Sequence, residues 1–320
     1  MARDGHKRSR QTVMRFFANA VTATRHPSIG LGYARWRIGK FIGRPSIVVG
    51  ACGTRLETSS YTEFVSTRAL VPGASEAKMI RNLSSNYPLF IDIGANVGVW
   101  TVALAAAHPK AHVYCFEPTP NTFSMLRHNV ALNRLQNVTA AQIAVSDSAG
   151  VLPFQVTESM SILNRLAPTK ESAEDLYRER FTNARTIDVE SISLDDFCKD
   201  RRIDRIGFLK VDVEGAEVCV LRGAEQLLRN RAIDLIFIEV VPDQLRGLGD
   251  SIDDLATIMK NMRYTFHMLQ PDGSLGQPVD IRYQRSFNMM AKPESYWSVR
   301  LRRDVATMNA DRQNKRLVPR

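Results

Sequence analysis

The sequence predicts a doubly wound α/β fold on a mostly parallel sheet, and three observations predict it. Apolar runs of strand length alternate with helical segments from about residue 89 onward. The first run ends in a glycine-rich turn that opens a helix, and the second ends in an acidic residue, Glu117. Continuous hydrophobic strands separated by helices imply a parallel sheet covered on both faces, and right-handed crossovers leave the doubly wound arrangement as the economical one.

Residues 1–85 read as a basic N-terminal extension and lead-in. Within 11–24, Val13, Met14, Phe16, Phe17, Ala20 and Val21 recur at helical spacing beside Arg10 and Arg15, which predicts a short helix. That helix either packs on the body or lies at an interface. Residues 86–295 form the expected domain, with buried strands at 89–93, 112–116, 138–145, 206–213 and 235–240 and helices at 99–107, 121–133 and 216–230. A helix at 252–262, a strand at 264–269, a Pro271-Asp272-Gly273 turn and a strand at 287–291 complete the sheet. The polar stretch 157–191 interrupts the alternation and reads as an insertion beside the sheet, a binding loop, lid or surface decoration. Residues 296–320 are a basic tail.

Composition narrows the class. With 44% hydrophobic and 24% charged residues the chain has enough apolar material for a large core, which excludes wholesale disorder. The net charge of +10 is uneven: residues 1–50 hold 10 Lys/Arg against one acid and 300–320 hold 7 against 2, leaving 26 bases and 30 acids between. Basic ends on a nearly neutral body suit contact with an anionic surface, or simple solubility, better than a nucleic-acid-binding face. No run reaches the length of a membrane span, and the basic start lacks the apolar centre and cleavage site of a secretion signal. Cys52, Cys115, Cys198 and Cys219 form no CxxC pair, which argues against a disulfide framework or zinc site and suits a reducing cytoplasm.

The chemistry concentrates in Phe90-Ile91-Asp92-Ile93-Gly94-Ala95-Asn96-Val97-Gly98. Gly94 allows a sharp turn and Gly98 a close approach of the helix, at the first strand-to-helix crossing, where open parallel sheets bind ligands. Glu117, ending the next strand, can accept both hydrogen bonds of a ribose diol, or else cap the helix that follows. The turn lacks the second glycine of a dinucleotide fingerprint, and Asp92 would repel a pyrophosphate. It suits instead a cofactor with an ammonium group, which favours S-adenosylmethionine.

The runs FIDIGANVGVWT, YCFEPTPNTF, AVSDSAG, SLDDF, FLKVDVEGAEVCVLRGAEQLL and IFIEVVP, in that order, resemble the FkbM family of methyltransferases over roughly residues 90–241. The resemblance implies a seven-stranded class I methyltransferase (Rossmann-like) sheet, S-adenosyl-L-methionine as donor and a hydroxyl oxygen as acceptor. It places Asp92, Gly94, Ala95, Asn96 and Gly98 at the methionine end, Glu117 and Pro118 at the ribose, and Ala144, Val145 and Asp147 at the adenine, although Asp147 can equally cap a turn.

Asp212, Glu214 and Glu239 fall at the carboxyl ends of the fourth and fifth strands, beside the cofactor crevice, and are the candidate catalytic residues. Asp212, Glu214 and Glu217 could together hold a divalent cation, while Glu214 and Glu217 also suit a helix N-terminus and Lys210 could pair with one of them. No residue is assigned as a metal ligand. The expected acceptor is a small molecule or glycolipid with a hydroxyl group, and the expected location is the cytoplasm, with peripheral contact to the inner membrane face. Two rivals remain: a cofactor-binding or membrane-docking protein without turnover, and a nucleic-acid methyltransferase, which would need an NPPY-like turn where Asp212-Val213-Glu214-Gly215 stands or a cysteine nucleophile.

Overall fold

The computed structural model of the chain describes residues 46–58, 74–156, 165–167, 185–283 and 287–294. The helix expected within 11–24 and the basic tail lie outside the described residues. The central sheet carries β3 (Leu89–Ile93), β4 (His112–Phe116), β5 (Val138–Ala141), β10 (Phe208–Val211), β11 (Ile236–Val240), β12 (Tyr264–Leu269), β13 (Leu275–Val279) and β14 (Phe287–Pro293). Their order is β13-β12-β14-β11-β10-β3-β4-β5. The five strands from β11 to β5 are parallel, and β14, β12 and β13 join antiparallel. The expected mostly parallel, doubly wound α/β sheet is present, and β13 adds an eighth strand at its edge.

The central strands are buried on both faces, so alternation of side chains fills two cores. Ile91, Leu209 and Ile238 point into one, while Phe90, Phe208 and Phe237 point into the other against Met79 and Ile80 of α1 (Ser75–Asn82) and Trp100 and Leu104 of α2 (Val99–Ala107). Burying each of these large side chains contributes about 1.5–3 kcal/mol relative to exposure.

Three expectations change. The single strand at 138–145 divides, because β5 stays in the central sheet while β6 (Ala144–Ser146) joins a second sheet of order β6-β9-β7-β8, with β7 (Gly150–Val156), β8 (Arg165–Leu166) and β9 (Arg185–Ser193). The insertion is therefore shorter at its end, since β9 pairs with β7 over Val156↔Arg185 to Gly150↔Ser191. The helix at 216–230 breaks into α5 (Glu217–Arg222) and α6 (Glu225–Arg229) at Gly223, where a Cβ would lie 1.9 Å from the Ser146 carbonyl oxygen. The remaining helices are α3 (Pro120–Leu132), α4 (Leu194–Asp200), α7 (Pro242–Gly247) and α8 (Ile252–Asn261).

A hairpin of β1 (Ser46–Val49) and β2 (Arg55–Thr58) precedes the domain and docks on α3. Asn129 accepts from the Glu57 amide at 2.7 Å and donates to the Val97 carbonyl at 2.8 Å, and Asn133 accepts from the Arg55 amide at 2.8 Å. Among the described residues no helix is long and apolar enough to cross a membrane.

Candidate active site

The carboxyl ends of β3, β4, β10 and β11 surround a cavity of about 260 Å³. Its first wall is the turn after β3. Gly94 has φ 74°, and a Cβ there would lie 1.9 Å from the Asp212 carbonyl oxygen, because β10 runs in register beside β3. The amides of Gly94 and Ala95 both donate to the Phe116 carbonyl, at 3.1 and 2.9 Å, which wraps the turn over the end of β4. Asn96 takes a left-handed conformation (φ 52°) that asparagine tolerates better than most residues, and its Oδ1 accepts from the Val97 amide at 2.8 Å.

Glu117 stands at the end of β4 and is only 5% exposed. Its Oε2 accepts from the Asn96 amide at 3.0 Å, and its Oε1 accepts from the Thr119 amide at 3.0 Å and the Thr119 hydroxyl at 2.5 Å. Burial pushes its pKa up, against the pull of these hydrogen bonds. The carboxylate therefore joins the glycine turn to the start of α3 from the cavity wall.

Asp92 is fully buried and lies off that wall. Its Oδ2 accepts from the Thr101 hydroxyl at 2.6 Å, and its Oδ1 lies 3.3 Å from Lys210 Nζ. Lys210 also donates to the Gly94 carbonyl at 2.8 Å and stands 3.2 Å from Asp212 Oδ2. Burial alone would lower the lysine pKa, but Asp212 and Asp92 outweigh it and hold the ammonium well above the usual lysine range. Lys210 thus pairs with these two aspartates and not with Glu214 or Glu217 as the sequence suggested.

The opposite wall is acidic. One oxygen each of Asp212, Glu214 and Glu239 lies within 4.8 Å of the others. The charge of Asp212 first, then burial and Glu214, push Glu239 up to about 10. Burial, Asp212 and Glu217 raise Glu214, which accepts a hydrogen bond from Gln244 on α7. Glu217 is pinned to the amides of Val213 and Gly215 through Oε1, at 3.1 and 3.2 Å, and burial lifts it to about 7. The trio that converges therefore contains Glu239 in place of Glu217.

Of the residues picked from sequence, Gly94, Ala95, Asn96, Glu117 and Pro118 line one side of the cavity, Ala144 and Val145 a second, and Asp212, Glu214 and Glu239 a third. Asp92, Gly98 and Asp147 do not line it. Gly98 (φ 89°) serves packing, since a Cβ would meet Leu126 Cδ1 at 2.6 Å. Asp147 is exposed and accepts from the Ser146 and Ser148 hydroxyls in a turn.

Sequence reasoning missed Lys210, Trp100, Phe237, Asn288, Phe154 and Leu166 as wall residues. A lone charge inside Phe208-Leu209-Lys210-Val211 was a signal for the first. Asn288 reaches the site through antiparallel register with Glu239, which no local pattern shows. The thiol of Cys219, on α5, is half-buried and pushed up to about 11 by burial, which suits packing and not nucleophilic attack.

The cavity wall combines the tight Gly94 turn, the Glu117 carboxyl group after the next strand, apolar Ile143 and Val145, and the acids Asp212, Glu214 and Glu239, a lining whose chemistry fits a nucleoside sulfonium. A family model described as the methyltransferase FkbM domain matches residues 92–266. The methyltransferase sdnD of Sordaria araneosa is 35% identical over 178 residues, 48% of this chain and 68% of that protein. The 31-O-demethyl-FK506 methyltransferase FkbM of Streptomyces tacrolimicus is 30% identical over 152 residues, 42% of this chain and 58% of its own. The hexuronic acid methyltransferase AglP of Haloferax volcanii is 26% identical over 149 residues, 47% and 54% respectively. The chain therefore spans less than two thirds of the last two.

Proposed function

The chain belongs to the FkbM methyltransferase family, and on that premise we propose that it methylates a hydroxyl oxygen on a sugar, glycolipid or related natural product. Its donor is S-adenosyl-L-methionine, which supplies an electrophilic methyl group. The observation that carries the reading is the convergence on one cavity of the Gly94 turn and Glu117 on one side and the Asp212–Glu239 carboxyl pair on the other.

In this reading Gly94, Ala95 and Asn96 hold the amino-acid end of the donor, Glu117 and Pro118 the ribose, and Ala144 and Val145 the base. Asp92 and Gly98 act from behind, by bracing Lys210 and by letting α2 approach α3. Asp212 takes the proton of the acceptor hydroxyl, and Glu239, whose pKa the charge of Asp212 and burial raise, stands beside it. Glu214, fixed by Gln244, is a polar contact for the acceptor. Trp100, Phe237 and Phe154 offer aromatic faces to the apolar side of a ring. Alignment of acceptor oxygen and methyl carbon supplies most of the acceleration, since such displacements depend chiefly on geometry.

The names of FkbM and AglP, a demethylated FK506 and a hexuronic acid, support a hydroxyl-bearing small molecule as acceptor. The basic ends support an anionic acceptor presented at the cytoplasmic face of a membrane. Titration calorimetry with S-adenosylmethionine tests the donor. Incubation of enzyme and donor with cell extract, followed by mass spectrometry for a component that gains one methyl, tests the acceptor. A folded protein that gives no heat with the donor or its demethylated product ends the reading. Binding with no methylated product from any extract favours instead a docking protein of the same fold.

A further inference from the structure

Lys210 is the only cation among the described residues that line the cavity. It lies in an apolar strand and is 2% exposed, a placement that costs free energy unless its protons are used. Its ammonium donates to the Gly94 carbonyl at 2.8 Å and forms ion pairs with Asp212 Oδ2 at 3.2 Å and Asp92 Oδ1 at 3.3 Å. Strand register makes the arrangement rigid, since Lys210 is paired with Asp92 across β10 and β3, and Thr101 fixes Asp92 in turn.

Gly94 belongs to the turn at the donor's amino-acid end, and Asp212 belongs to the acceptor-side carboxyl pair. We infer that Lys210 is a positioning residue that locks the donor turn and Asp212 into one unit and sets a fixed positive charge beside the sulfonium. The inference rests on the proposed donor reading. Positive charge leaves sulfur as the methyl departs, so a fixed cation nearby disfavours the sulfonium more than the state in which that charge is dispersed.

The test compares the affinities of S-adenosylmethionine and S-adenosylhomocysteine by calorimetry in the wild type, Lys210→Met and Asp212→Asn. The two probes differ by one methyl and its charge, so a packing defect that weakens both cancels in their ratio. Lys210→Met is expected to raise the preference for the sulfonium at least about threefold, and Asp212→Asn to lower it at least about threefold, as charges of opposite sign should. A folded Lys210→Met protein whose ratio stays within about twofold of the wild type overturns the inference. If Lys210→Met does not fold, the Asp92→Asn/Lys210→Met double variant read against Asp92→Asn carries the same expectation and the same threshold. A wild type that binds neither probe removes the donor reading itself. One that binds both, with an unmoved ratio in the variants, removes only the role of Lys210.

Discussion

At Gly94 the backbone is left-handed and the Asp212 carbonyl occupies the space a side chain would need. Gly94→Ala is expected to cost about 1–2 kcal/mol in backbone strain, plus the displacement of β10, and to abolish measurable S-adenosylhomocysteine binding. Thermal unfolding and calorimetry check both parts, and full-affinity binding would show that the turn is no cradle. Glu117 is the second test at this scale. Glu117→Gln keeps the packing but removes the charge, and should weaken donor binding by about 1–3 kcal/mol, the range for hydrogen bonds to a charged group. Unchanged affinity in a folded variant would take Glu117 out of the site.

Elements meet through a few buried polar side chains. Asn129 is fully buried on α3 and serves the Glu57 amide, the Glu57 carbonyl and the Val97 carbonyl at once, so it ties the N-terminal hairpin to the loop that leads from the cofactor turn into α2. Asn129→Ala leaves those groups without a partner and should cost about 2–3 kcal/mol. Asn133, one turn later and only half-buried, should cost less. Hydrogen exchange gives the specific readout: the Glu57 amide, protected in the wild type, should exchange faster in Asn129→Ala. Unaltered protection would mean that the hairpin is held by its apolar contacts alone.

Across the whole molecule, the buried carboxyl groups of the site make stability depend on pH. Burial raises the pKa of Glu117, Glu214 and Glu217, and Asp212 together with burial raises that of Glu239. A folded pKa above the unfolded one stabilises below the unfolded value and loses that contribution as pH rises through the folded value. For Glu217 the window runs from 4.5 to about 7. Glu217→Gln should therefore match the wild type near pH 4.5 and gain stability up to pH 7, to about 3 kcal/mol at most by linkage, then level off. Denaturant unfolding at several pH values checks it, and a constant difference across that window would sink the assignment.

Much of this protein was written in its local pattern. Apolar runs of strand length and the helical segments between them set β3, β4, α2 and β12 to the residue, because strands and helices buried on both faces need uninterrupted apolar sequence. Gly94 and Glu117 were legible because a left-handed turn and a carboxylate at a strand end leave few chemical alternatives. What the sequence left open was decided by contacts between distant segments. The break at Gly223 comes from the approach of Ser146, the placement of Asn288 from strand register, and the withdrawal of Asp92 from the cavity from Lys210, which lies more than a hundred residues away along the chain. Local sequence fixes which chemistry a segment can offer, but a buried charge finds its partner only when the sheet is assembled, since pairing energy depends on distance in space and on the water that folding removes.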